Sequence, residues 1–247
     1  MAAGRKRLAA WEDARRTETW YSARLRQVAV QAAAIVEGLA PRGAVRNLGR
    51  ILRALDAYAD ALVPWAEGVA EYMVQDVARR NDRIWREVSK QVSIGLRAEM
   101  MGSRHGLVMR ERLEAQVPLI RSIPREAGQR VRRLTEEGLL SGTRPEAVAK
   151  EIMRTQAVSK SRARLIARTE TSRTAQELMR ARAESAGSKG YVWRTSRDAD
   201  VRDTHKKMEG VYVPWDSPPK TDPGLDPYHA GCGPNCRCFA EPVLPDL

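Results

Sequence analysis

Apolar residues recur every three to four positions over most of this chain. Between residues 5 and 37, Leu8, Trp11, Trp20, Leu25, Val28, Ile35 and Val36 stand at roughly helical spacing with charges between them. That is the pattern of an amphipathic helix with one face buried. The segment is rich in Ala and free of Pro and Gly, so local propensity agrees with the period. Pro41 and Gly43 predict its end. The period resumes through Leu48, Ile51, Leu52, Leu55, Tyr58 and Leu62, is interrupted at Pro64, and continues through Val69, Tyr72, Met73, Val77, Ile84, Trp85 and Val88. Gly102, Ser103 and Gly106 predict a loop, and Pro118 and Pro124 predict a further break, because proline removes a helical donor and crowds the preceding turn.

A short helix is expected from about Arg125 to Leu140, ending at Ser141-Gly142. Thr143 then reads as an N-cap, with Pro145 in the first turn and Glu146 at the capping-box position, for a helix reaching about Met153. Ser159 reads as a second cap, opening a helix that extends to about Ser185 and stops at Gly187 and Gly190.

The period then changes. Tyr191–Thr195, Gly210–Pro214 and Cys238–Val243 read as short strands. Eight of the thirteen prolines fall after residue 190, five of them between Pro214 and Pro227. The expected fold is mainly α: an elongated N-terminal helical bundle, then a small C-terminal α+β module of short antiparallel strands with a loop clipped by cysteine and histidine. The expected division is 1–123, a helical docking region, and 124–247, the segment that holds the α+β module.

Composition alters this picture in three ways. Aromatics are only 5% of the chain, so Leu, Val, Ile and Ala must fill the core. The net charge of +12 is uneven: residues 1–190 carry 36 Lys/Arg against 22 Asp/Glu, and residues 191–247 carry 7 against 9. An excess of positive charge in the helical part fits a polyanionic neighbour such as nucleic acid; an arginine-rich solvated surface fits it equally, since Arg is spread over every helix. No apolar run approaches the ~18 residues of a membrane span, and no signal-peptide core is present at the N-terminus. No membrane partner is expected.

All three cysteines, Cys232, Cys236 and Cys238, fall in His229-Ala-Gly-Cys-Gly-Pro-Asn-Cys-Arg-Cys238, and two of the three histidines, His205 and His229, lie within or shortly before it. An odd number of cysteines packed so closely does not read as a secreted disulfide framework, so a soluble protein made in a reducing cytoplasm is expected.

Several separated pieces of the C-terminal part resemble the phage Mu F-like family of minor head (head morphogenesis) proteins. They are Ile166-Ala-Arg-Thr-Glu170, Trp193-Arg-Thr-Ser-Arg-Asp198, Val201-Arg-Asp-Thr-His205, Gly210, His229, Asn235-Cys-Arg-Cys238 and Pro242. The resemblance covers a little under half the chain. It implies a structural component of a tailed-phage virion, in the head interior near the portal vertex, with the portal protein, the major capsid protein and packaged double-stranded DNA as partners. The helices upstream would be the part adapted to this phage's own portal. Two departures stand out: Ala230 follows His229 where members often have Pro, and Arg202 and His205 stand where some carry a Cys-x-x-Cys pair.

Zinc takes four tetrahedral nitrogen or sulfur ligands in a closed structural site. His205, His229, Cys236 and Cys238 would supply that set, with Cys232 as a substitute for either histidine. A structural zinc is worth ~10 kcal/mol or more of apparent folding free energy in a small peptide, which a module so poor in apolar residues would use. Burial of the cysteines as small apolar groups, or a disulfide among them, remains open beside it. Asp198, Asp200 and Asp203 with Glu209 do not make a calcium loop, because Arg202 falls on a ligand position and Asp203 stands where the turn requires Gly. Asp198 is expected to pair with Arg202 or to cap the turn after the first strand. Glu170, in mid-helix, is expected to pair with Arg168, Arg173 or Arg194.

Lys160, Arg162, Arg164, Arg168 and Arg173 give one helix a basic face suited to DNA phosphates or to an acidic protein partner. No aromatic residues interleave with them, so contact would be independent of base sequence. A metal-dependent nuclease or other phage hydrolase built on His205, Asp198 and His229 is a competing reading, but no HExxH, phosphate-binding glycine loop or Gly-x-Ser-x-Gly is present. A free, sequence-independent DNA-binding protein is the third.

Overall fold

A computed structural model describes the backbone of residues 2–40, 44–89 and 104–245, and the side chains of 15–40, 47–85, 104–144 and 146–245. The expected stops at Pro41 and Gly43, the loop at Gly102 and Ser103, and the side chains of Leu8, Trp11 and Val88 lie outside these residues. The described elements are α1 (Ala2–Leu39), α2 (Ala44–Ala61), α3 (Val63–Ser89), α4 (Arg104–Leu140), α5 (Pro145–Met153), α6 (Thr155–Ser185), β1 (Gly190–Arg194), α7 (Asp203–Lys206), β2 (Tyr212–Pro214) and β3 (Phe239–Val243). The mainly helical fold with a small antiparallel sheet near the C-terminus is as the periodicity predicts.

The chain packs as two compact units, one built from residues 1–18, 72–113 and 168–247 and the other from 19–71 and 114–167. The four longest helices, α1, α3, α4 and α6, each contribute residues to both.

In the second unit, Ala32, Val36, Ile51, Leu55, Ala127, Val131 and Ile152 form a buried cluster flanked by Leu48, Tyr58, Leu134 and Val148. Here the break expected at Pro118 and Pro124 is absent, and α4 runs through both prolines. Each mid-helix proline costs about 3 kcal/mol. Gln116, Ile120, Ile123, Ala127 and Val131 nevertheless form one continuous buried stripe at helical spacing, and each buried Ile or Val returns about 1.5–3 kcal/mol. Burial of the stripe decides the outcome. Gly106 lies in the first turn of α4, and Pro64 sits in the first turn of α3, where its missing N–H is of no consequence.

Two caps also differ from expectation. Arg144, not Thr143, occupies the N-cap position of α5, with φ −56° and ψ 134° and no side-chain cap bond, because Pro145 at N1 holds the residue before it extended. Thr143 Oγ1 instead lies 2.6 Å from Ser141 Oγ. Helix α6 starts at Thr155 rather than at Ser159, which is buried within it. The Arg154 carbonyl accepts from the amides of Ala157 and Val158 at 3.1 and 3.3 Å, so α6 follows α5 with a one-residue joint and no fresh cap.

In the first unit, α6 ends at Gly187, whose φ of +80° turns the chain out of the helix. The sheet that follows has the order β2-β1-β3, antiparallel throughout, with Tyr191 opposite Val213 and Pro242, and Trp193 opposite Ala240. Its core gathers Trp85, Tyr191, Trp193, Val213, Trp215, Ala230, Cys236, Cys238 and Ala240. The Tyr191 and Trp215 rings pack against each other at a tilt of 32°, centroids 4.5 Å apart. Gly231, at φ +78°, lets the last loop lie close on α6: a Cβ there would sit 2.5 Å from Gln176 Cγ and 2.8 Å from the Cys238 carbonyl oxygen.

Candidate metal centre

The single helical turn α7 was not legible in the sequence, and it carries His205 into the core. Trp193 of β1 packs edge-on against the imidazole, centroids 5.5 Å apart. The chain before β3 brings Cys236 and Cys238 to the same place. His205, Cys236 and Cys238 are 2%, 3% and 1% exposed. His205 Nδ1 lies 3.6 Å from Cys236 Sγ and 3.4 Å from Cys238 Sγ. All three donor atoms fall within 4.8 Å of one another, close enough to hold a metal ion. No cysteine is in a disulfide.

The spacing fits tetrahedral zinc. With Zn–S near 2.3 Å and Zn–N near 2.0–2.1 Å, two ligands at the tetrahedral angle stand about 3.6 Å apart. The buried indole Nε1–H of Trp193 lies beside Cys238, where a thiolate would accept from it. The Cys238 thiol pulls its Cys236 partner's pKa down by hydrogen bonding to it, with His205 acting in the same direction, while that bond and burial push Cys238 up. The thiolate is the form of cysteine that binds metal.

His229, the fourth expected ligand, is not in this cluster. Its Nε2 lies 3.0 Å from Arg180 and its Nδ1 3.3 Å from the Tyr191 hydroxyl. Burial, then the Arg180 charge, push its pKa down to about 4, so it is neutral near pH 7. Cys232 is apart from the cluster as well: its carbonyl accepts from Arg173 at 2.9 and 3.1 Å, and burial pushes its thiol up to about 12. Both residues border a cleft of about 430 Å³ with Glu177, Arg180, Trp215 and Tyr228.

Asp198 caps the turn after β1, accepting from Ser196 Oγ and the Asp200 amide, but its ion pair is with Arg237 at 2.7 Å rather than with Arg202. Arg202 pairs with Asp222 at 2.9 Å. Glu170, 4% exposed, takes Arg173 at 3.2 Å, and Arg194 goes to Glu241 and Glu209 across the sheet. Of the expected basic face, Lys160 bonds to Gln156 at 3.2 Å and Arg162 to Glu126 at 3.0 Å, and Arg164 is exposed. Arg168 meets Glu18 and Asn235, each at 3.0 Å, and Arg173 is held as described.

Sequence reasoning missed the residues behind His205. Its Nε2 faces the Tyr228 hydroxyl at 3.1 Å and Asp222 Oδ1 at 3.4 Å. Neither lies at a ligand spacing from the cysteines, and Asp222 sits unremarked in the proline-rich loop.

Residues 129–241 match the family described as Phage Mu protein F like protein. The Mu F-like segment thus begins within α4, ends in β3 and includes the whole His/Cys cluster. A protein of Haemophilus influenzae, itself uncharacterized, is 26% identical over 245 residues, which is 93% of this chain and 54% of the relative. The chain therefore spans about half the length of that relative. No solved structure matches it.

Proposed function

We propose that this protein is a structural minor head protein of a tailed phage, bound inside the head at the portal vertex, where it aids head assembly and the packaging or delivery of DNA. The observation that carries the reading is the Mu F-like match over residues 129–241. On this reading residues 124–247 are the Mu F-like head-morphogenesis module, and residues 1–123 dock on the portal or the capsid interior. The basic residues of α6, Arg164 foremost, would face packaged DNA or an acidic partner surface. The His205, Cys236 and Cys238 cluster would hold zinc, because two thiolates and an imidazole form a borderline-soft donor set. The ion would tie α7 to the chain entering β3 and supply folding free energy rather than chemistry.

The surroundings of the polar groups support a structural role over hydrolysis. Both ring nitrogens of His229 are engaged, by Arg180 and by the Tyr191 hydroxyl, and Asp198 is spent on Arg237 and its own turn. No helix among the described residues is long and apolar enough to cross a membrane. The test is biochemical. Purified virions of the encoding phage should contain the protein, and it should co-purify with the portal when the two are co-expressed. Its absence from virions, or metal-dependent cleavage of plasmid DNA by the purified protein, overturns the reading.

A further inference from the structure

An imidazole serves as a metal ligand only when it is neutral, with its free lone pair aimed at the ion, and the group on its other nitrogen usually decides this. Behind His205 the Tyr228 hydroxyl donates to Asp222 Oδ2 at 2.6 Å. With that hydrogen committed, both groups facing Nε2, the Tyr228 oxygen at 3.1 Å and Asp222 Oδ1 at 3.4 Å, are acceptors. Nε2 must therefore carry the proton, and the lone pair is left on Nδ1, the atom on which both sulfurs converge. Asp222 is itself buried and fixed by Thr204 Oγ1 at 3.1 Å and Arg202 at 2.9 Å.

We infer that Asp222 is the positioning residue of a metal site with three protein ligands, His205 through Nδ1, Cys236 and Cys238, and that it sets both the tautomer and the orientation of His205. This rests on the reading of the cluster as a zinc site. It goes further in naming the ligand set, which excludes His229 and Cys232, and the carboxylate on which affinity depends. No further Cys, His, Asp or Glu among the described residues joins the group.

The full-length protein is loaded with zinc and its affinity measured by competition with a chromophoric chelator. Cobalt(II) is then substituted and its thiolate charge-transfer absorption recorded. Asp222→Asn is expected to lower the affinity about 10- to 100-fold, the usual cost of losing such a carboxylate, with the cobalt–thiolate bands still forming at higher cobalt concentration. Arg202→Met removes the same ion pair but leaves the carboxylate on His205, and it should keep the wild-type affinity. That contrast separates positioning from general destabilisation. Should Asp222→Asn fail to fold, Tyr228→Phe is expected to show a smaller loss in the same direction. His229→Ala and Cys232→Ala should each retain one zinc at wild-type affinity. Zinc bound equally well by wild type, Asp222→Asn and Tyr228→Phe, or lost on altering His229 or Cys232, overturns this inference and leaves the zinc reading standing. Wild-type protein that takes up neither ion overturns the zinc reading beneath it.

Discussion

Replacing Cys236 or Cys238 by Ala removes one sulfur from a cluster in which every donor is at most 3% exposed. If the cluster holds zinc, either change should take the bound metal from about one per chain to none, because only one sulfur and one imidazole nitrogen would be left to hold the ion. The melting temperature should fall to that of the chelator-treated wild type, and metal analysis with calorimetry checks both. A melting temperature insensitive to chelator in the wild type counts against the tie. His229 gives a prediction of a different kind. Its folded pKa is about 4, below the ordinary histidine value near 6.5, so between these limits the unfolded chain binds more protons than the folded one. Its contribution is therefore complete above about pH 6.5 and is lost as the pH falls towards 4. Denaturation midpoints measured across that window should fall less steeply in His229→Gln than in the wild type. These effects depend on which groups meet in space. Asp222 acquires a role only because the proline-rich loop returns it to His205, and no spacing in the chain announces that.

Elements respond to packing as well as to propensity. Gly138, near the end of α4, faces Val148 of α5, and a Cβ built there would lie 2.5 Å from Val148 Cγ2. On helix propensity alone, Gly138→Ala would stabilise by about 1 kcal/mol. Overlap with a stiff β-branched side chain costs about 1–3 kcal/mol, so the expected sign is destabilising. The double variant Gly138→Ala/Val148→Ala should recover part of the loss, and urea denaturation of both checks this. The same competition explains the elements that sequence reasoning misplaced. Proline chemistry at Pro118 and Pro124 is local, whereas the buried stripe from Gln116 to Val131 is a property of the packed unit. Amphipathic periods over α1 to α3, the helix stop at Gly187 and the three short strands were legible, because there propensity and burial agree. Helix α7 was not, since four residues carry too little periodicity to register.

For the whole molecule, the charge of +12 says that a polyanion will attract it, but not through which side chains. Arg162, Arg168 and Arg173 are engaged in ion pairs with Glu126, Glu18 and Glu170, and Lys160 in a hydrogen bond, which leaves Arg164 as the exposed member of the expected face. Through this face the isolated protein should therefore make few phosphate contacts with duplex DNA, contributing about −1 to −2 to the slope of log K against log[salt], where five phosphate contacts would contribute about −4.5. A salt-titrated shift assay distinguishes the two, and Arg164→Ala should lower the slope by about 1. The sequence by itself determined that the chain is mainly helical, that a small strand-bearing module closes it, and that sulfur and imidazole groups are concentrated near its end. Hydrophobic period and composition are local quantities, read directly along the chain. Only the tertiary structure decided that His205 joins Cys236 and Cys238 while His229 and Cys232 stand apart, and that a carboxylate from a distant loop stands behind the imidazole. A ligand set is defined by distances of a few ångströms between segments far apart in sequence, and those distances exist only once the chain has packed.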